Sequence, residues 1–142
     1  MRRIVMTLVL SALFLSACAP AATETPAPAP LAAGSGLFQI VKPDGSTFDM
    51  TLDAVKALPL ASITVEGKVQ EGPKLMDILS LAGISDFAEL TITGSSAPNT
   101  LTREQVDDNT LLDFSNRGTM KLATTYIPKA EWTKDITKIE VK

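Results

Sequence analysis

Apolar and polar residues alternate through most of the chain after residue 36, and this pattern predicts several short strands. The runs LFQIVK and TFDM flank Pro43-Asp44-Gly45-Ser46, which predicts a β-hairpin because Asp-Gly favours a tight turn. The alternation continues through residues 61–69, which are predicted to form one strand. Similar runs predict further strands at residues 89–93, 111–114, 120–124 and 136–141.

Short helical signals lie between these predicted strands. Thr51 can cap a helix that runs to Leu58 and is stopped by Pro59. Thr102 and Gln105 have the spacing of a capping box, which predicts a single helical turn.

The clearest helical pattern follows Gly72. Pro73 suits the first helical position and Gly83 suits the end. An apolar stripe between them contains Leu75, Ile78, Leu79 and Ala82. Because strands and short helices interleave without regular βαβ spacing, the predicted fold class is α+β with a mixed, mostly antiparallel sheet.

The first 17 residues have a different pattern, with Arg2 and Arg3 followed by a short apolar stretch. This stretch is shorter than the roughly twenty residues that span a bilayer as a helix. Leu15-Ser16-Ala17-Cys18 resembles the lipobox of bacterial lipoproteins, after which the cysteine becomes the diacylated first residue. We therefore expect a signal peptide at residues 1–17 and a lipid anchor at Cys18. The alternative is an ordinary secreted protein in which Cys18 is incidental.

Such an anchor predicts an extracytoplasmic protein held at the cell membrane or the outer membrane. Residues 18–36 are rich in Ala and Pro, which cannot pack a core and favour an extended backbone. They are predicted to be a spacer, and a ligand for a proline-reading domain is the alternative. Residues 37–142 then form one domain of ordinary size.

Composition excludes several kinds of chemistry. The chain has no histidine, and Cys18 is its only cysteine. Zinc sites of the usual Cys/His kinds, Ser-His-Asp triads and haem with a histidine ligand are therefore excluded. Removing Arg2 and Arg3 from the 13 basic residues leaves 11 against 16 acidic ones, a net charge near −5. No basic run is present, so a nucleic-acid partner is not expected.

Two long segments resemble the molybdopterin-binding domain of the sulfite oxidase family. TLDAVKALPLASITVEGKVQEGPKLMDILSLAGI resembles its opening, in which a helix ending in Leu-Pro precedes a strand, a Gly-x-Pro-Leu turn and a DLL-x-x-AG helix. TLTREQVDDNTLLDFSNRGTMKLATTYIPKAEWTKDITKIEV is similar to its closing pattern of an NG-x-P-L turn and a terminal Ile-Glu-Val strand. The resemblance covers roughly Thr51–Lys142 and implies a molybdopterin-binding-domain-like fold.

The resemblance also implies where an active site would lie. Catalytic members ligate molybdenum through a cysteine thiolate at or near the position of Gly67, and glycine has no side chain to do so. We therefore expect no catalytic residue, no metal site and no cofactor. Molybdopterin held without a protein thiolate is the alternative, and its phosphate would need cations such as arginine or lysine.

Five residues are candidates for binding a cofactor or another ligand: Glu66, Gly67, Lys68, Arg117 and Trp132. The first three lie where the resemblance places the active site, and Glu66 is expected to need Lys68 or Lys74 as a partner. Arg117 lies in the turn Asn116-Arg117-Gly118, where a solvated charge is the simpler interpretation. Trp132 could stack on a ligand ring, although packing in the core is commoner for a single tryptophan.

Three other features have alternative interpretations. The loop at residues 94–99 offers hydroxyls and amides for an anion, or is a solvated connection. Asp107, Asp108 and Asp113 could hold calcium, or form a solvated acidic turn. Tyr126 could line a pocket, or simply pack.

Three classes of function follow from the sequence. The favoured class is an anchored, non-catalytic module that binds a small ligand or an envelope protein. A cofactor-binding component of a molybdopterin-dependent oxidoreductase is the second, and a structural or assembly lipoprotein of an envelope complex is the third. The choice rests on a resemblance of fold and on missing residues, because a fold alone does not fix a function.

Overall fold

The computed structural model describes residues 36–142. The predicted signal peptide, Cys18 and all but the last residue of the predicted spacer lie outside the described residues. The strands are β1 (Gly36–Val41), β2 (Thr47–Thr51), β3 (Leu60–Val65), β4 (Lys68–Pro73), β5 (Glu89–Thr93), β6 (Asn99–Thr102), β7 (Thr110–Phe114), β8 (Met120–Thr124) and β9 (Lys138–Val141). The helices are α1 (Leu52–Lys56) and α2 (Leu75–Leu81), with single 3-10 turns at Arg103–Gln105 and Lys129–Glu131.

The largest sheet has five strands in the order β2-β1-β9-β5-β6. β9 runs parallel to β1, and the other neighbouring strands are antiparallel. Apolar side chains from this sheet pack with Leu75, Ile78 and Leu79 of α2 in one core. The sheet is mixed and mostly antiparallel, as the alternation in the sequence predicts.

Two hairpins, β3–β4 and β7–β8, form separate two-stranded sheets that pack against each other. They meet closely at Gly72, where an added Cβ would lie 2.0 Å from the carbonyl oxygen of Leu112. A second apolar cluster lies here, formed by Ile63, Leu111, Ala123 and Trp132.

Local signals in the sequence predict several elements correctly. β1 and β2 form the hairpin expected around Asp44-Gly45. Thr51 caps α1 by accepting a hydrogen bond from the Ala54 amide at 3.3 Å. Thr102 and Gln105 form both hydrogen bonds of the capping box. In each case the deciding contacts lie within a few residues along the chain.

Two predictions are wrong. Residues 61–69 are not one strand, because Glu66 and Gly67 form a turn between β3 and β4 with φ of 53° and 73°. Positive φ at both central residues is the geometry of a tight hairpin turn. Pro73 does not open a helix either. It ends β4, and α2 begins at Leu75, since the contact of Gly72 with β7 keeps this segment extended.

No helix among residues 36–142 is long and apolar enough to cross a membrane.

A polar atom is buried without a partner beneath the β3–β4 hairpin. Gln70 is 4% exposed, and its side-chain amide donates to the carbonyl of Val69 at 2.9 Å. Its Oε1 atom accepts no hydrogen bond from any described residue. A buried acceptor without a partner costs about 1–3 kcal/mol, so Gln70 lowers the stability of the domain.

Replacing Gln70 with methionine should therefore stabilise the protein, because removal of the unpaired oxygen outweighs loss of the single hydrogen bond to the Val69 carbonyl, and the apolar chain has a similar length. We expect a gain of about 1 kcal/mol, or a melting temperature higher by roughly 4–8 °C. Gln105→Met is the matched control, and it should lower the melting temperature because Gln105 completes the capping box. A destabilised Gln70→Met protein would show that the oxygen has a partner.

Candidate functional site

A basic cleft of about 260 Å³ lies between the β7–β8 turn and the segment that leads into β9. We use the name basic cleft for the pocket lined by Ser115, Asn116, Arg117, Lys121, Lys134 and Asp135. Three of these six side chains are cations and one is an anion. The lining therefore offers cationic groups to a small anionic ligand, next to the aliphatic parts of the same side chains.

The β7–β8 turn places Arg117 at the mouth of the basic cleft. The Ser115 amide donates to the Thr119 carbonyl at 2.9 Å, and Gly118 reaches a φ of 75° that closes the turn. The Ser115 hydroxyl also accepts from the amides of Arg117 and Thr119 at 3.3 and 3.2 Å. The backbone of the turn is thus held firmly, while the Arg117 side chain is 79% exposed.

The opposite wall is held by the loop between β5 and β6. The Ser95 amide donates to the Lys134 carbonyl at 2.8 Å, and the Lys134 amide donates to the Ser96 hydroxyl at 2.9 Å. Gly94 permits this close approach, since an added Cβ would lie 2.1 Å from the Lys134 carbonyl oxygen. Asn99 adds hydrogen bonds to the Glu131 carbonyl and the Thr133 hydroxyl. The loop at residues 94–99 is a partly exposed connection that also braces this wall.

Asp135 sits in the wall with φ of 45°, a left-handed conformation that is uncommon outside glycine. Its Oδ1 accepts from the Thr119 hydroxyl at 2.6 Å, and its Oδ2 accepts from the Ser95 hydroxyl at 2.8 Å. The hydrogen bond from Thr119, and after it the one from Ser95, hold the pKa of the Asp135 carboxyl below its ordinary value. Asp135 is consequently charged at neutral pH.

The three cations differ in their partners. Lys121 pairs with Asp113 at 3.0 Å, and Arg117 pairs with Asp135 at 3.3 Å. Lys134 forms no ion pair with any residue from 36 to 142 and is exposed. Lys134 and the exposed part of Arg117 are the groups best placed to meet an incoming anion.

The structure brings one of the five candidate residues, Arg117, into the basic cleft. Glu66, Gly67 and Lys68 lie at the exposed tip of the β3–β4 hairpin. An added Cβ at Gly67 would meet no atom within 4 Å, so its surroundings are open. Glu66 was expected to pair with Lys68 or Lys74, but it is exposed and forms no ion pair with either, and Lys74 pairs with Asp108 at 2.7 Å.

Trp132 is a core side chain. It is 2% exposed, packs in the second apolar cluster, and donates from Nε1 to the Ile127 carbonyl at 3.0 Å. The Lys129 ammonium lies 5.6 Å from the ring centroid. The indole thus offers no free face for a ligand, and the packing interpretation holds.

The three possible calcium ligands, Asp107, Asp108 and Asp113, each have a different partner. Asp108 pairs with Lys74, Asp113 pairs with Lys121, and Asp107 accepts from the Tyr126 hydroxyl at 2.7 Å. Within the described part of the chain, no three acidic side chains are grouped in a way that could hold a metal ion.

Lys121, Lys134 and Asp135 were missed by sequence reasoning. They lie on two segments separated along the chain, and no local motif connects them. Hydrogen bonds from the Leu122 amide to the Thr133 carbonyl, at 2.9 Å, and from the Ile136 amide to the Met120 carbonyl, at 2.8 Å, bring the two segments together. The nearest signal in the sequence was Arg117 in its Asn-Arg-Gly turn.

Comparison with known proteins concerns the fold. The described residues adopt the predicted α+β class with a mixed, mostly antiparallel sheet, and a solved structure has a similar fold. That structure is the sulfane dehydrogenase SoxCD from Paracoccus pantotrophus, with a TM-score of 0.56 and 16% sequence identity over 73% of this chain. The chain spans 37% of the length of the dehydrogenase chain, and at this identity the likeness concerns the fold alone. No protein-family model matches the sequence, and no curated protein matches it.

Proposed function

We propose that the protein is a lipid-anchored extracytoplasmic lipoprotein whose domain, residues 37–142, is a non-catalytic module that binds a small anionic ligand. The basic cleft is the observation that carries this proposal. It combines an exposed arginine and an exposed lysine with the side-chain amide of Asn116. Such a set can bind a carboxylate, sulfate or phosphate group through charge-assisted hydrogen bonds.

The residues of this domain do not provide the ligands that molybdenum would need. Residues 37–142 contain no cysteine and no histidine, and Gly67 lies on an exposed turn with open space around it. A thiolate ligand cannot come from this position. This supports the non-catalytic part of the proposal, and we derive no redox step for the domain.

A phosphate group, in contrast, fits the basic cleft. Arg117, Lys121 and Lys134 are the cation types that bind phosphates, and molybdopterin carries such a group. A cofactor-binding component of an oxidoreductase is therefore the second candidate, supported by the basic cleft and by the shared fold. In that case these three residues would hold the phosphate end, and the cofactor would supply any redox chemistry.

The lipid anchor and the location are part of the proposal through Cys18. The charged start, the short apolar stretch and the Leu-Ser-Ala-Cys motif support it. The acyl chains would be the contact with the membrane, since the chain carries no polybasic patch. The Ala- and Pro-rich spacer would then hold the basic cleft away from the lipid surface.

Sulfate is a suitable first probe of the basic cleft, because it is tetrahedral and stays doubly charged across neutral pH. We expect it to shift the backbone amide signals of residues 115–118 and 134–135 in NMR titrations of the full-length protein in detergent. Arg117→Ala and Lys134→Ala should each weaken the affinity roughly tenfold, since each removes a charge-assisted contact. Lys68→Ala is the matched control, at the exposed hairpin tip, and should leave the affinity unchanged.

A different pattern would contradict the site. If Lys68→Ala weakens binding while Arg117→Ala and Lys134→Ala do not, the ligand site lies at the β3–β4 turn. If sulfate shifts no signal at all, the basic cleft is not an anion site.

Metal analysis separates the first candidate from the second. Protein expressed in a host that makes molybdopterin should carry no stoichiometric molybdenum or tungsten by mass spectrometry, and no pterin fluorescence, because no thiolate is present to ligate the metal. Metal and pterin in amounts close to one per protein molecule would make the protein a redox component and overturn the non-catalytic assignment.

The anchor has its own test. Cys18→Ser removes the thiol that would be acylated, so the protein should move from the membrane fraction to the soluble fraction after cell lysis. Ser16→Thr, which keeps Cys18, serves as a control for changes near the cleavage site. A Cys18→Ser protein that remains with the membrane would refute lipidation as the means of attachment.

A further inference from the structure

The basic cleft contains its own carboxylate, which already contacts the cation that a ligand would use. Oδ2 of Asp135 lies 3.3 Å from Nη1 of Arg117. The same oxygen accepts from the Ser95 hydroxyl at 2.8 Å, and Oδ1 accepts from the Thr119 hydroxyl at 2.6 Å. An incoming anion therefore meets an arginine that is paired and a fixed negative charge beside it.

The carboxylate is held more firmly than the arginine. Asp135 is 24% exposed on its side chain and has two short hydrogen bonds from two different loops, whereas Arg117 is 79% exposed. The Asp135 backbone is fixed as well, because Gly94 and Ser95 pack directly on residues 134 and 135. The Arg117 side chain is thus the partner that can turn toward a ligand, and Asp135 stays in place.

We infer that Asp135 is a built-in competitor that lowers the affinity of this cleft for anions, and lowers it more for doubly charged anions than for singly charged ones, an inference that rests on the proposed anion site. Coulomb repulsion grows in proportion to the charge of the ligand. A monoanion, such as a carboxylate, meets half the repulsion that a dianion meets at the same place. The cations also attract a dianion twice as strongly as a monoanion. Asp135 therefore reduces, without reversing, the advantage that a doubly charged ligand has over a singly charged one at this cleft.

Asp135→Asn tests this inference with little change in shape. Asparagine tolerates positive φ and can keep a hydrogen bond with Thr119, but it carries no charge. In full-length protein in detergent, we expect the affinity for sulfate to rise on the order of tenfold and that for acetate about threefold. Acetate has half the charge of sulfate, so the change in its binding free energy is halved and its fold-change in affinity is the square root of that for sulfate. Asp135→Gly, which also suits a φ of 45°, should give the same order of effects.

Two controls separate charge from structure. Asp108→Asn changes the net charge by the same amount at the Lys74 pair, away from the basic cleft, and should leave both affinities unchanged. Ser95→Ala removes a hydrogen bond to Asp135 and keeps its charge, so it should not raise the affinity for sulfate. A purely structural role for Asp135 would make Ser95→Ala and Asp135→Asn alike.

The outcomes distinguish this inference from the proposed function. If wild-type protein binds sulfate through Arg117 and Lys134 but Asp135→Asn binds it no more tightly, the competitor role is wrong and the anion site stands. If the affinities for sulfate and acetate rise by the same factor, the claim that Asp135 weakens the binding of dianions more than that of monoanions is wrong. If neither wild type nor any Asp135 variant binds either anion, the proposed site itself is wrong.

Discussion

The position of β9 between β1 and β5 is the constraint on which the rest of the fold depends. Ile139 in β9 lies opposite Ile40 in β1 and Ile92 in β5, and all three are fully buried. The β1–β2 hairpin and the β5–β6 pair have no ladder with each other, so β9 joins them into one sheet. The segment just before β9 contributes Lys134 and Asp135, and the basic cleft is thus built on the approach to the central strand.

Local chemistry made much of the fold predictable from the sequence. The Asp-Gly hairpin, the Thr51 cap and the Thr102 capping box each depend on contacts within a few residues. The Glu66-Gly67 turn was missed because Glu-Gly is a weaker turn signal than Asn-Gly or Asp-Gly, and the alternation of apolar residues continues across it. Pro73 was misassigned to a helix because the preceding Gly72 is held in β4 by a contact with Leu112, forty residues away.

The site was far less predictable than the fold. Resemblance directed attention to Gly67, which lies on an exposed turn, and the stacking capacity of an indole directed it to Trp132, which is buried. The cations of the basic cleft are ordinary surface residues when taken one at a time. They are brought together by hydrogen bonds between β8 and residues 133–136. No local pattern in the sequence predicts these hydrogen bonds. Of the charged residues in the basic cleft, only Arg117 was predicted, because the sequence alone indicates a charged residue in a tight turn.

The central place of β9 also affects how the chain reaches its folded state. β9 follows every other described element in the sequence, so a chain that extends only to residue 137 lacks the strand that joins β1 to β5. The pairing of β9 with β1 closes a loop of about a hundred residues, and such distant contacts form slowly. Until β9 has been synthesised, β1 and β5 each lack a partner strand on one side, and those edges are open to pairing with another chain.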